Sequence, residues 1–240
     1  VKTPSPWNLY DHWQDHVDDE GRRLAHVLEA HRVHTVVDAA AGGGRLASAL
    51  AERGFHVVAC EPDEALFRQA LEHLAGAPVS VALYRVGLPG LAHVLEGPFD
   101  AAFALHDALA RHSPAEQGRS LEAMARILAP KGLALIGLRD WEGLLRERTF
   151  FVPRRVARMN GSRLLMFDVR LFRAQHVIWT TFYLLEQEGK WRVHTSATTY
   201  YPITPARLEE AAAAAGLTVA ERADYPHETW WVLRRKRLIR

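Results

Sequence analysis

The stretch Val33-His34-Thr35-Val36-Val37-Asp38-Ala39-Ala40-Ala41-Gly42-Gly43-Gly44-Arg45 constrains the fold of this chain more than any other. Val33, Val36 and Val37 are β-branched, which suits a buried strand. Three glycines follow, and glycine lets the backbone adopt φ > 0 and come close to a ligand. Arg45 to Ala51 then reads as a helix, whose free N-terminal N–H groups suit an anionic ligand group. Strand, glycine turn and helix in that order predict the opening unit of an α/β domain. Asp38 closes the strand, four residues before the first glycine.

That order of acid and glycines narrows the ligand. Gly42 to Ala47 can be written as G-x-G-x-x-A, the dinucleotide turn, so the glycine spacing alone is a weak signal. A carboxylate held ahead of the glycines repels a pyrophosphate and suits a ligand with a cationic amino group. The second strand, Phe55 to Glu61, ends in an acid about 20 residues after the turn, where a carboxylate can hold two ribose hydroxyls. Pro62-Asp63-Glu64 opens the next helix with acids in its first turn. The order D-x-x-x-G-x-G resembles the nucleotide turn of class I S-adenosylmethionine (SAM) methyltransferases. SAM has an amino-acid end, a sulfonium and an adenosine, and no phosphate.

Composition bounds the rest. At 240 residues the chain is long enough for one α/β domain with a modest insertion. The net charge is +2, from 30 basic and 28 acidic residues, which argues against an extended nucleic-acid footprint. The basic end, Arg234 to Arg240, reads as a solvated strand end and tail. One cysteine, Cys60, excludes an internal disulfide, reads as buried and inert, and fits a reducing, cytoplasmic setting. No apolar run reaches the ~18 residues of a membrane span, and the polar, aromatic N-terminus lacks a signal-peptide core.

The expected architecture is a Rossmann-like seven-stranded sheet with helices on both faces, plus an inserted antiparallel β meander. Residues 1–32 read as an N-terminal helical cap carrying Trp7, Tyr10 and Trp13, with a helix from Asp18 to His31. Residues 33–138 and 203–237 read as the SAM-binding domain. Its third strand is expected over Val79 to Val86 and its fourth over Ala101 to Leu105. Ser113-Pro114-Ala115-Glu116 reads as a capping box for helix 114–128. The fifth strand runs from Leu133 to Leu138. Residues 139–202 read as an antiparallel subdomain over the active site, with strands Val156–Arg158, Arg163–Arg173, Val177–Glu186 and Trp191–Tyr201. Asn160-Gly161 and Gln187-Glu188-Gly189-Lys190 are its expected turns. Helix 205–215 and strands Leu217–Ala223 and Glu228–Arg234 complete the sheet. Ligands in such sheets bind beyond the carboxyl ends of the strands, where Asp38, Glu61, His106 and Arg139 all fall.

Further pieces narrow the resemblance. Arg139-Asp140-Trp141-Glu142, Tyr200-Tyr201-Pro202 and Trp230-Trp231-Val232-Leu233 follow the SAM turn in an order similar to the glycine N-methyltransferase group and the related amino-sugar N-methyltransferases. The resemblance implies a cofactor set in the first two strands and their turns: Asp38, Ala39, Ala40, Gly42, Gly44, Glu61 and Pro62. It adds Val86 and Gly87, whose backbone groups would face the base edge in place of the usual acid and amide. Leu105 and, from the cap, Tyr10 complete that set. It implies that Arg139 binds a substrate carboxylate, for which a guanidinium fork is suited. The alternative for Arg139 is a pair with Asp140 or Glu142. Tyr200 and Tyr201 would bring a hydroxyl or ring face to the sulfonium and amine, or else pack in the core. The family's acceptor-holding Asn is replaced by His106, followed by Asp107. An imidazole can take a proton near neutral pH, so His106 is a candidate base, or a histidine packed in a loop. His112, His176 and His194 have no metal-ligand spacing, and no metal is expected.

These readings predict methyl transfer from SAM to a small-molecule acceptor, an amine nitrogen first. Two alternatives stand beside it: O-methylation of a phenol or carboxyl, and SAM binding without turnover. Neither a nucleic acid nor a membrane is an expected partner. An exposed strand edge in the insertion permits pairing between subunits.

Overall fold

The structure, a computed structural model, describes residues 17–159, 162–187, 189–225 and 227–236. Tyr10 with its flanking tryptophans, the Asn160-Gly161 turn and Glu188 of the second expected turn lie outside the described residues. The described residues divide into two units, one within 17–139 with 205–236 and the other within 140–204.

The larger unit alternates helices and strands: α1 (Val17–Ala30), β1 (Thr35–Asp38), α2 (Arg45–Ala51), β2 (His56–Cys60), α3 (Glu64–Ala75) and β3 (Ala82–Tyr84). After a 3₁₀ turn, Leu88–Gly90, come α4 (Leu91–Val94), β4 (Phe99–Ala104), a second 3₁₀ turn (Leu109–Arg111), α5 (Pro114–Ile127) and β5 (Leu128–Leu138). It ends with α7 (Pro205–Ala214), β10 (Leu217–Asp224) and β11 (Thr229–Arg235). The seven strands form one sheet in the order β10-β11-β5-β4-β1-β2-β3. The first five are mutually parallel, while β11 runs antiparallel to β5 and to β10.

Both faces of this sheet are covered, as a parallel sheet requires. Val36, Val57, Phe103 and Leu135 point to one side and join Leu24, Leu28, Leu46 and Leu50 of α1 and α2 in the main core. The alternate residues Val37, Ala102, Ala104 and Ile136 face the other side and are equally buried. Each fully buried aliphatic side chain contributes roughly 1.5–3 kcal/mol, so these two layers hold the strand ends in place.

Three expectations need correction. The third strand covers only Ala82–Tyr84, because it lies at the sheet edge and pairs with Val58, Ala59 and Cys60 alone. The insertion opens with a helix, α6 (Trp141–Glu147), where only strands were expected. Asp140 caps it, its carboxylate accepting the Gly143 N–H at 2.8 Å. The first meander strand begins at Phe151, not Val156.

The smaller unit is a four-stranded antiparallel sheet in the order β6 (Phe151–Met159), β7 (Ser162–Phe172), β8 (Val177–Gln187) and β9 (Lys190–Tyr200). Pro153 is tolerated because β6 is an edge strand with a bulge at Pro153/Arg155. Among the described residues, no helix is long and apolar enough to cross a membrane.

Candidate functional site at the carboxyl edge of the sheet

The glycine turn is built as its residues dictate. Gly42 sits at φ +54 and Gly44 at φ +80, a region where L side chains are strained. A Cβ at Gly44 would also lie 3.2 Å from the Ala70 Cβ and 3.3 Å from Leu74, so α3 packs against the turn. At Gly42 a Cβ would meet nothing within 4 Å, so the backbone there borders open space. The Ala39 and Ala41 N–H groups donate to the Phe103 and Cys60 carbonyls, both at 2.9 Å. These bonds tie the turn to β4 and β2.

Two carboxylates stand at this turn and a third at the end of β4. Asp38, only 3% exposed, ends β1 and accepts the Ala40 N–H at 3.3 Å. Burial, reinforced by the neighbouring charges of Glu61 and Glu20, pushes its pKa up to about 7. Glu61 accepts the Gly42 N–H and the Asp63 N–H, each at 2.9 Å, one on each oxygen. Its pKa is raised by burial, against the pull of those two donors. Glu228, at the start of the last hairpin strand, accepts the His106 backbone N–H at 2.8 Å and the Trp230 indole N–H at 2.6 Å. Burial raises its pKa as well, against the opposing charge of His106.

His106 and Asp107 follow β4 with φ of +55 and +57. Two successive non-glycine residues in the left-handed region cost of order 1–2 kcal/mol each. The turn is held there by Glu228 on the His106 N–H and by the Gly137 carbonyl on the Asp107 N–H, 3.1 Å. The His106 ring meets Glu20 of α1, Nε2 to Oε1 2.8 Å. Packing around the ring works against its charge. The hydrogen bond and charge of Glu20, with Glu228 nearby, outweigh this and push its pKa up to about 9. The Glu20 carboxylate thus favours the protonated imidazole. Arg139 directly follows β5, and its guanidinium pairs with the buried Asp107 carboxylate. Asp107 also accepts the Arg139 N–H at 3.1 Å.

The fold therefore brings Asp38, Glu61, His106 and Arg139 to one edge of the sheet, with Ala39, Ala40, Gly42 and Gly44 in the turn. Leu105 is buried at the end of β4. Pro62 is exposed at the end of β2, and Gly87 lies beside it, a Cβ there meeting Pro62 at 3.5 Å. Val86 is partly exposed and its N–H donates to the Tyr84 carbonyl at 3.1 Å. Tyr200 and Tyr201 belong to the smaller unit. Tyr200 is buried against Trp141 and Trp179, ring centroids 5.5 and 5.8 Å away, and Tyr201 lies 5.8 Å from the His176 ring. Cys60 is buried, and burial pushes its thiol up to about 12, so it is inert at neutral pH.

Sequence reasoning missed Glu20 and Glu228. The signals available were an acid in the first turn of α1 and one heading the aromatic strand, and neither marks a site by itself. Glu20, His106 and Glu228 place one ligand-type atom each within 4.8 Å of one another. Glu228 already accepts an N–H on each oxygen. Two cavities lie away from this edge: about 100 Å³ beside Asp100 and Lys131, and about 560 Å³ beside Leu71, Pro78 and Leu83. The turn and its carboxylates mark the site.

Residues 36–132 match the family model described as Methyltransferase domain. The fold is that of the class I methyltransferases. It is shared at a TM-score of 0.82 with CalS10, described as a SAM-bound amino pentose methyltransferase of calicheamicin biosynthesis from Micromonospora echinaspora. That likeness covers 98% of each chain at 20% identity. The sugar N-methyltransferase KedS8 from Streptoalloteichus sp. matches at 0.78 and 18% identity, covering 98% of this chain and 95% of its own. The 1,6-didemethyltoxoflavin-N1-methyltransferase of Burkholderia thailandensis matches at 0.60 and 19% identity, over 95% of this chain and 82% of its own. Comparison with curated proteins yields no match. In this class I methyltransferase fold the first turn, the end of β2 and the end of β4 converge, which is where Asp38, Glu61 and His106 stand.

Proposed function

We propose that this protein binds SAM at the Asp38–Gly44 turn and transfers its methyl group to a small-molecule acceptor, an amine nitrogen. The observation that carries the reading is the buried, strand-end carboxylate of Asp38 beside a turn kept clear of side chains by Gly42 and Gly44. A pyrophosphate is repelled by that acid, whereas an ammonium is attracted to it and favours its ionised form.

The residues fit this ligand. Asp38 would hold the amino-acid end. Glu61 uses one acceptor site of each oxygen on backbone N–H groups, and a carboxylate oxygen has a second for a ribose hydroxyl. When bound, SAM supplies an electrophilic methyl on a sulfonium. The chain's own part is placement and electrostatics, and well-aligned reactants gain up to roughly 7–11 kcal/mol from proximity. The His106–Asp107 turn, pinned by Glu228 and the Gly137 carbonyl, and Arg139, pinned by Asp107, give the rim a fixed shape for orienting an acceptor. The acceptor reacts as the neutral amine, whose lone pair takes the methyl as the sulfur–methyl bond breaks, and the carboxylates of Glu20, Glu228 and Asp38 on the rim disfavour a phenolate or carboxylate in its place.

Incubation with methyl-labelled SAM and parallel panels of amines, phenols and carboxylates tests the proposal. Label is expected in an amine product. Label confined to phenols or carboxylates would replace nitrogen by oxygen as the acceptor. Binding of SAM with no product from any panel would leave only a binding module.

A further inference from the structure

The amino edge of the seven-stranded sheet, opposite the edge that carries Asp38, gathers charge of the other sign. A cavity of about 100 Å³ there is lined by Arg32, Lys131 and Arg234, with His31 and Asp100 beside them. The three cations come from three elements: the segment just after α1, the opening of β5 and the end of β11. Among the described residues no carboxylate pairs with any of the three. Asp100 also lines the cavity, but its charge is engaged by the start of β1. Its Oδ2 accepts the His34 and Thr35 N–H groups, each at 2.9 Å, and the Thr35 hydroxyl at 3.1 Å.

We propose that this cavity binds a phosphate group, either the free ion or the phosphoryl end of a small molecule, held by Arg32, Lys131 and Arg234. The local backbone is built to bring these side chains together. Two steps along β4, from Phe99 to Ala101, match five along β5, from Leu128 to Leu133, so the surplus residues of β5 fold out as a bulge that carries Lys131. Bulges of this kind re-aim a side chain. A Cβ at Gly132 would come within 2.9 Å of the Ala129 carbonyl oxygen and 3.1 Å of the Asp100 carbonyl oxygen, so the bulge is drawn tight against β4. Lys131 holds φ +73 and Arg32 φ +58, a region that L side chains rarely occupy. Arg234 is steadied by a relay. With its proton on Nε2, His31 donates to Glu221 Oε1 at 3.3 Å and accepts at Nδ1 from Arg234 Nη2 at 3.4 Å. Three cations against two carboxylates engaged elsewhere leave the cavity electropositive. Its volume has room for several water molecules, and so for one compact anion. A tetrahedral oxyanion suits donors that arrive from three elements, and a guanidinium fork matches phosphate oxygens while an ammonium serves as a point charge.

Titration of the isotope-labelled full chain with inorganic phosphate at constant ionic strength, followed by amide NMR shifts, tests the proposal. Saturable shifts are expected at Arg32, Lys131 and Gly132, with a Kd of about 1 mM or tighter. Sodium chloride at the same ionic strength is expected to leave these amides unmoved. Lys131→Gly removes the ammonium and also relieves the left-handed backbone, so it is expected to melt no lower than the wild type. It is expected to raise the phosphate Kd at least about tenfold, as is Arg234→Gln. Phenyl phosphate run in parallel separates the two sources: tighter binding of the ester supports a phosphorylated small molecule, and tighter binding of inorganic phosphate supports the free ion. Absence of saturable shifts would overturn the proposal, as would equal shifts with chloride or a Kd unchanged in both variants. A short DNA duplex that moves these amides when phosphate does not would overturn it in favour of a nucleic-acid contact. The readout involves neither SAM nor methyl transfer, so it stands or falls apart from the proposed activity.

Discussion

Glu20 governs His106 more than any residue near it in sequence does. The imidazole is charged at neutral pH because a carboxylate 2.8 Å away holds its proton. Its pKa of about 9 lies above the ordinary 6.5, so the pair's stabilisation is fully present below pH 6.5 and is lost as pH rises through 9. Glu20→Gln removes the charge and keeps an acceptor. The His106 titration midpoint, read by NMR, is expected to fall by at least about one unit, and the melting temperature to lose its decline between pH 6.5 and 9. An unchanged midpoint would mean that Glu20 does not hold the ring. Asp38 and Glu61 were legible in the sequence because each ends a strand next to a turn. Glu20 and Glu228 were not, since they reach His106 across 86 and 122 residues, from α1 and from the start of β11, which pairs with β5, the neighbour of β4. The left-handed pair His106-Asp107 was equally hidden, because no glycine announces it.

Among the elements, the first turn was the most legible, since glycine content and flanking strand and helix all point the same way. Its two strained glycines differ in a testable manner. Gly44→Ala meets both an unfavourable φ of +80 and the side chains of Ala70 and Leu74. It is expected to cost about 2–3 kcal/mol in urea unfolding. Gly42→Ala meets only the unfavourable φ and is expected to cost about 1 kcal/mol. Equal losses would mean that α3 does not pack on the turn as described. The expected third strand was too long because its apolar run continues past the residues that β2 can pair. Helix α6 was missed because seven residues are too few for a periodic signal, and its cap, Asp140, was read as part of the Arg139-to-Glu142 motif instead.

At the scale of the molecule, the alternation of strands and helices, the reversed final hairpin and the meander spliced after β5 were all readable from period and turn residues. The exposure of Val156 and Val193 in the meander was not, because alternation says that one face is buried without saying which. The account's central claim concerns the larger unit alone: a cationic ligand end held by the acid of β1. Isothermal titration calorimetry of SAM and S-adenosylhomocysteine into wild-type protein and Asp38→Asn tests it most directly. Both ligands are expected to bind the wild type, with SAM affinity rising from pH 6 to 7.5 as Asp38, with a pKa of about 7, ionises. Asp38→Asn is expected to bind about 10–100-fold more weakly, the worth of one charge-assisted hydrogen bond, and without that pH dependence. No association of either ligand with the wild type, or equal affinity in Asp38→Asn, would contradict the claim.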